Sequence, residues 1–463
     1  MATIIEQKPL YTQTPVGQDV IFVVSNSNIV STQTRVKFQA EVHISNTFAP
    51  NTAVATDVIG KFKTTPNNAG VGIFNLRSVV ENYVSADNMA RLGSSYKGTT
   101  TTDDERHPLH LIDKYSGNVN AIRYLVIQFK TEYFDTTTNQ LVQVEAANSD
   151  LYQIFNGYLS YADKLEILNS DFGYDVGKFN LSANTNQFLT NAPVTQYANL
   201  DDYGTLGILA PNDNLSYIKI IYKDSSGSAL GTAETIERKT INGAYDNFNA
   251  YIGMNLLYFG CFPANLRGDG TTQFANLITA GTIQGGSIEV TPFDVGANQI
   301  GKTYTIKLNC PDLKGYESIR LCWLNQWGVW DYYTFTKKSS KNITTQGSTY
   351  EQLEGTWNDS RYRLDSFKGG KKAFRVNSME KISMNTDYIT ESESVWLEEL
   401  INSPEVYELN GFQTDSAFAA LNTYVTPVRL TTTSYTRKTV ANDKLIQYTF
   451  EVEKTKKLRT QAI

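Results

Sequence analysis

Apolar and polar residues alternate with a period of two along much of this chain, the signature of strands that bury one face. Val36, Phe38, Ala40, Val42 and Ile44 alternate with Lys37, Gln39, Glu41 and His43, which predicts a half-buried antiparallel strand with a solvated His43. Further strands are predicted at Val20–Val24, at Tyr304–Leu308, and at Ile122–Asp135, where Leu125, Ile127, Phe129, Thr131 and Tyr133 share a face. Tyr217–Lys223 is another, followed by an Asp224-Ser225-Ser226-Gly227 turn. The last strand sets Ile446, Tyr448, Phe450 and Val452 against Gln447, Thr449, Glu451 and Glu453. Helical spacing occurs in two places. Leu76, Val79, Val80 and Tyr83 follow Asn75, a good N-cap. Trp396, Leu397, Leu400 and Ile401 form an apolar stripe over 391–402, opened by a Thr390/Glu393 capping box and ended by Pro404. Two polar stretches interrupt the pattern: TTTTDDERHPLH (99–110), a loop expected to order on docking, and KKSSKNITTQGST (337–349). The basic tail KTKKLRTQAI is expected to fray. No sequence repeats at a fixed period, which argues against a propeller or solenoid.

The richest segment is Ile319–Phe335, IRLCWLNQWGVWDYYTF. Ile319, Leu321 and Trp323 alternate with Arg320, Cys322 and Leu324; then Val329, Asp331, Tyr333 and Phe335 alternate with Trp330, Tyr332 and Thr334. The turn between them is Asn325-Gln326-Trp327-Gly328, with Gly328 supplying the positive φ. A hairpin with aromatics on both faces must lie in a packed core or present one face to a partner. The pattern leaves both open. Trp323, Asn325, Trp327, Gly328, Trp330, Asp331 and Trp396 are therefore the structural or interface candidates.

The fold class that follows is mainly β: tandem antiparallel β-sandwich-like domains with a few short helices. The expected domains are 1–162, a β-rich unit; 163–340, a β-rich region holding the Trp hairpin and open to a split near 245, where Asn242-Gly243 reads as a turn; and 341–463, a β-rich unit with the one helix. Of 463 residues, 19% are charged and 12% aromatic, a balance that favours sheets and interfaces over helices. The net charge of −6 gives no overall drive toward nucleic acid or an anionic membrane.

Candidate chemistry is sparse. Cys261, Cys310 and Cys322 are too scattered for a disulfide framework and fit a reducing compartment. The opening MATIIEQKPLYTQ lacks the basic and apolar stretches of a secretory signal, and no apolar run is long enough to span a membrane. GANQIGKT (296–303) matches the phosphate-loop pattern, but the next residues alternate as a strand, so a β-turn is expected rather than a nucleotide site at Lys302. Arg267-Gly268-Asp269 reads as an ordinary turn. His107 and His110, near Asp103, Asp104 and Glu105, lie around Pro108 in a loop unsuited to a rigid metal pair. The carboxylate pairs Asp201-Asp202 and Glu398-Glu399 read as solvated surface. No catalytic residue, cofactor or metal is assigned, and the chain is read as a non-enzyme.

The strand ending in Leu324-Asn325, the Gly-bearing turn and the following WDYYTF resemble virion structural proteins of tailed bacteriophages, of the crAss-like type that infect Bacteroidetes. GIFNLRSVVENYV (72–84), FNGYLSY (155–161), TESESVWLEELINSPEVYEL (390–409) and TPVRLTT (426–432) resemble the same group in the same order. The resemblance implies a structural role in such a virion and does not settle which component; the expectation taken from it is a tail or neck protein, a ring or collar subunit assembled in the bacterial host cytoplasm. Its partners would be other copies of itself and neighbouring virion proteins, with no nucleic acid and no membrane. It transfers no active site. The rival expectations are a receptor- or carbohydrate-binding fibre or adaptor protein, with Trp327 stacking on sugars, and an enzyme, either a depolymerase or an NTPase.

Overall fold

The computed structural model describes residues 3–45, 58–87, 109, 115–118, 120–144, 146–159, 164–167, 171–174, 176–210, 215–237, 240–241, 244–245, 256–267, 272–309, 316–356, 360–411, 425–436, 446–456 and 459–462. The protein is mainly β, 50% strand and 12% helix, built of multi-stranded antiparallel sheets with a few short helices. It forms two compact units. One comprises Met1–Asn309, Leu324–Asp331 and Phe412–Leu421; the other comprises Cys310–Trp323, Tyr332–Gly411 and Asn422–Ile463. This division differs from the three domains expected. Strand Tyr115–Gly117 pairs with Leu256–Gly260, across the expected boundary at 162. The boundary at 340 falls inside strand Ser339–Gln352, which shares a sheet with the Trp hairpin. Asn242-Gly243 lies outside the described residues.

The first unit begins as a sandwich. Strands Ile4–Gln7, Ile21–Ser25 and Val71–Asn75 form one sheet. The other runs Gln13–Pro15, Tyr152–Phe155, Ile122–Asp135, Thr34–Ser45, Val58–Thr64, with two short strands added to Ile122–Asp135. The alternating apolar positions meet between them. Phe22, Val24 and Phe74 share one core with Phe38, Val42, Ile127 and Phe129. The Phe129 ring lies 5.5 Å from that of Phe22 and 5.7 Å from that of Phe74.

His43 departs from expectation: it is 0% exposed. Thr34–Ser45 is flanked on both edges, so its polar face is roofed by the neighbours' side chains. On that face Glu41 accepts from Lys61 at 3.0 Å and Lys130 at 3.3 Å, and Glu132 accepts from Lys63 at 2.7 Å. The aliphatic stems of such lysines cover what a period-two reading assigns to water. The helix expected after Asn75 is short. Arg77–Val80 is followed by a 3-10 turn at Glu81–Tyr83, Leu76 holds the cap position, and Tyr83 is exposed.

A five-stranded sheet of the same unit runs Thr195–Ala198, Tyr304–Leu308, Ser287–Phe293, Tyr217–Lys223, Ala229–Glu237. A further sheet joins Thr205–Leu209, Leu256–Gly260 and Tyr115–Gly117.

The second unit is organised by one large sheet. Its order is Trp330–Phe335, Ile319–Leu324, Val406–Leu409, Val425–Leu430, Thr449–Lys454, Gly370–Asn385, Ser339–Gln352. The tail expected to fray instead forms strand Arg459–Ala462, paired with Arg375–Ser378. Helix Glu391–Asn402 has the expected capping box: Glu393 N donates to Thr390 Oγ1 at 3.3 Å, and Thr390 N donates to the Glu393 carboxylate at 2.7 Å. The helix buries Trp396, Leu397 and Leu400. Among the described residues no helix is long and apolar enough to cross a membrane.

Candidate functional site

Both faces of the Trp hairpin are buried within the chain. Trp323, Trp327 and Trp330 are among its largest fully buried side chains, and Asn325, Asp331 and Trp396 are buried with them. In the second unit the Trp323 ring lies 5.2 Å from that of Trp396, and Phe335 meets Phe450 edge-on at 5.7 Å. Arg320 Nη1 donates to Thr334 Oγ1 at 2.7 Å, and its guanidinium sits 5.1 Å from the centre of the Tyr332 ring.

The turn, residues 324–331, belongs to the first unit. Asn325 builds it. Its Oδ1 accepts from the N–H groups of Trp327 (2.9 Å) and Val329 (3.2 Å), and its Nδ2 donates to the Leu189 carbonyl at 2.9 Å. Gly328 has φ +77°, and a Cβ there would lie 1.6 Å from the Asn156 carbonyl oxygen. Gly207 likewise leaves room for Val329, whose side chain a Cβ would meet at 2.9 Å. Trp327 packs on Phe179 at 4.2 Å, with Lys178 Nζ 5.7 Å from its ring centre. The Asp331 carboxylate accepts from Thr190 Oγ1 at 2.7 Å. Among the described residues the indole N–H groups of Trp323 and Trp327 have no hydrogen-bond acceptor. Each orphan donor costs about 1–3 kcal/mol, which the burial of the large ring outweighs. All seven sequence candidates thus serve the interior, and the ring offered for sugar stacking, Trp327, is not accessible.

The remaining motifs resolve into structure. GANQIGKT lies in the hairpin joining Ser287–Phe293 to Tyr304–Leu308, so no helix N-terminus follows Lys302 to hold a phosphate. Arg267 pairs with Asp201 at 2.8 Å; Gly268 and Asp269 lie outside the described residues. Asp202, expected on the surface, is buried and accepts from Asn199 N at 2.7 Å. His107, His110 and their neighbouring carboxylates, the rest of loop 99–110 apart from Leu109, and Cys310 also lie outside the described residues. Among the described residues no three His, Cys, Asp or Glu cluster as for a metal. Cys261 and Cys322 are free and buried, and burial pushes both thiols well above the ordinary range.

The feature that sequence reasoning missed is a two-stranded ribbon. Ser339–Gln352, the polar stretch given no element, pairs along its whole length with Gly370–Asn385 and forms an edge of its sheet. Residues 340–349 are exposed without interruption. A strand with water on both faces has no alternation to display, so its only sequence signal is its density of Thr and Ser. Beyond it, strands Gly355–Thr356 and Arg363–Leu364 close the end of the ribbon. There Leu353, Tyr362, Leu364 and Phe367 are exposed, Leu364 at 73% and Phe367 at 75%.

The chain matches no family model, and no curated protein matches it. Among solved structures, the native conformation of Escherichia coli alpha-2-macroglobulin aligns at 10% identity over 82% of this chain, with a TM-score of 0.16. The chain spans about a fifth of that protein, 22% of its length, and a likeness this slight carries no argument.

Proposed function

We propose that the chain is a structural subunit of a tailed-phage virion, a tail or neck ring or collar component that acts by protein–protein assembly. The setting comes from the resemblance, which recurs in order along most of the sequence. The observation that carries the assembly reading is the ribbon. Its end displays Leu353, Tyr362, Leu364 and Phe367 to water, next to an edge strand that is exposed throughout 340–349. Large apolar side chains held out on an extended element suit another polymer surface better than a small ligand. The sugar-binding rival loses the residue that carried it, because Trp327 is 0% exposed. The NTPase rival loses its helix after Lys302.

Negative-stain electron microscopy of the purified full chain tests this reading. Closed rings or tubes are expected. Dispersed single chains at micromolar concentration would count against self-assembly.

A further inference from the structure

Free sheet edges are normally blunted, because a row of unpaired backbone N–H and C=O groups is a template for another strand. Two edges of the first unit follow that rule. Strand Val58–Thr64 ends its sheet carrying Lys61 and Lys63, and a bulge interrupts it between Val58 and Gly60. Strand Ala229–Glu237 ends another, carrying Glu234 and Glu237, with a register shift between Leu230 and Glu234.

The edge at Ser339–Gln352 has none of these devices. It is 14 residues long, and among the described residues its one strand partner is Gly370–Asn385. The register shift at Ser348/Thr349 places the extra residue, Phe374, on that partner, so the outer strand runs unbroken. It contains no proline, and no charge between Lys341 and Glu351. Residues 340–349 are all exposed, Ile343 at 61%. Alternate residues of such a strand turn both backbone groups outward.

The side chains select what lies beside it. The strand's two charged residues, Lys341 and Glu351, stand symmetrically about Gln346. Laid antiparallel on a second copy of itself, with Gln346 opposite Gln346, the strand sets Lys341 of each copy opposite Glu351 of the other. Ile343 then opposes Thr349, and Thr344 opposes Ser348. Shifted by two residues either way, neither charge meets its opposite. Opposite charges and β-branched pairs directly across antiparallel strands are favourable, and like charges are not. Lys341 also donates to Glu317 at 2.7 Å, but an ammonium has three donors, so the two contacts are compatible.

We propose that this edge pairs antiparallel with the same edge of a second copy of the chain, centred on Gln346, in a two-fold contact. The inference rests on the assembly reading and names one of its contacts. Over 341–351 the pairing closes roughly ten backbone hydrogen bonds, because every second opposing pair exchanges two. An unrelated strand satisfies the backbone equally but brings no matched charge at both ends.

The test uses the full chain and variants at exposed positions. Gln346→Lys sets like charges face to face on the two-fold. Gln346→Cys sets two thiols there, whereas Ser340→Cys sets them about 40 Å apart. Sedimentation equilibrium measures self-association, and thermal unfolding checks that each variant folds as the parent does. A copper–phenanthroline oxidant joins neighbouring thiols, with the parent as the control for its own cysteines. The parent is expected to self-associate, and Gln346→Lys at least about tenfold more weakly with melting unchanged. Gln346→Cys is expected to cross-link into covalent pairs where Ser340→Cys and the parent do not. If Gln346→Lys associates as the parent does and no cross-link forms at 346, edge pairing is overturned and the assembly reading stands. Equal cross-linking at 340 and 346 would overturn it as well. A parent that stays single at every concentration would overturn both and leave the edge to a strand of another protein.

Discussion

At the scale of single residues, one five-residue loop recurs at four strand connections, three of them hairpins and one joining strands of different sheets. Asn67, Asp224, Asp294 and Asn325 each open it, with an N–H that donates to the carbonyl four residues on. Each opening carbonyl accepts from the residue three on, whose φ is positive: Gly70, Gly227, Ala297 and Gly328. The opening side chain closes the loop by accepting backbone N–H groups, as Asp224 does from Ser226 at 2.9 Å and Ser228 at 2.8 Å. This explains the phosphate-loop lookalike, whose first residues fall inside the third copy. It also explains why Asn325 and Gly328 stood out in the sequence, whereas Ala297 did not: alanine in the left-handed region carries no flag. Ala297→Gly is expected to stabilise the protein by a few tenths to about 1 kcal/mol in denaturant unfolding. Two glycines of the set should behave differently. A Cβ at Gly227 meets nothing within 4 Å, so Gly227→Ala should cost about 1 kcal/mol, the left-handed penalty alone. Gly328→Ala adds the collision with Asn156 and should cost more than about 3 kcal/mol. Equal losses at the two sites would refute this account of the loop.

At the scale of elements, what was legible followed how each element divides its faces. Helix Glu391–Asn402 announced itself because its stripe and its cap are both local, and Thr390→Ala should cost about 1 kcal/mol in thermal or denaturant unfolding. Strand Tyr217–Lys223 was found with its exact bounds because it alternates buried and half-buried positions. Ser339–Gln352 was missed for the opposite reason, having no buried face to mark it. Thr34–Ser45 was found, but its second face was misjudged, since Glu41 and His43 are buried under lysine-bearing neighbours that sequence spacing cannot bring together. The Trp hairpin was legible as a hairpin. Whether it served core or partner depended on residues far away in sequence, such as Phe179, Leu189 and Trp396.

At the scale of the whole molecule, the division into units escaped the sequence because the chain returns. Leu324–Asp331 rejoins the first unit after the second has begun, and no composition shift marks that return. The acid limb of stability should also be a property of the whole. Hydrogen bonding from Lys63 holds Glu132 below the usual carboxylate range. Burial alone would raise Glu41, but hydrogen bonds from Lys61 and Lys130 outweigh it and leave that group lowered too. Asp224 and Asp294 are lowered by hydrogen bonds from Ser226 and Asn298. Groups lowered on folding contribute stability above their unfolded values and lose it as pH falls through the folded ones. Stability should therefore be level near neutrality and fall below about pH 4, and Glu132→Gln should flatten part of that fall. A fall already complete at pH 5 would contradict these assignments.

The central claim is assembly, and the most direct test is the mass of the purified chain in solution. Static light scattering should report a fixed whole-number multiple of 51.8 kDa that persists on dilution. A mass of 51.8 kDa at every concentration would contradict the claim.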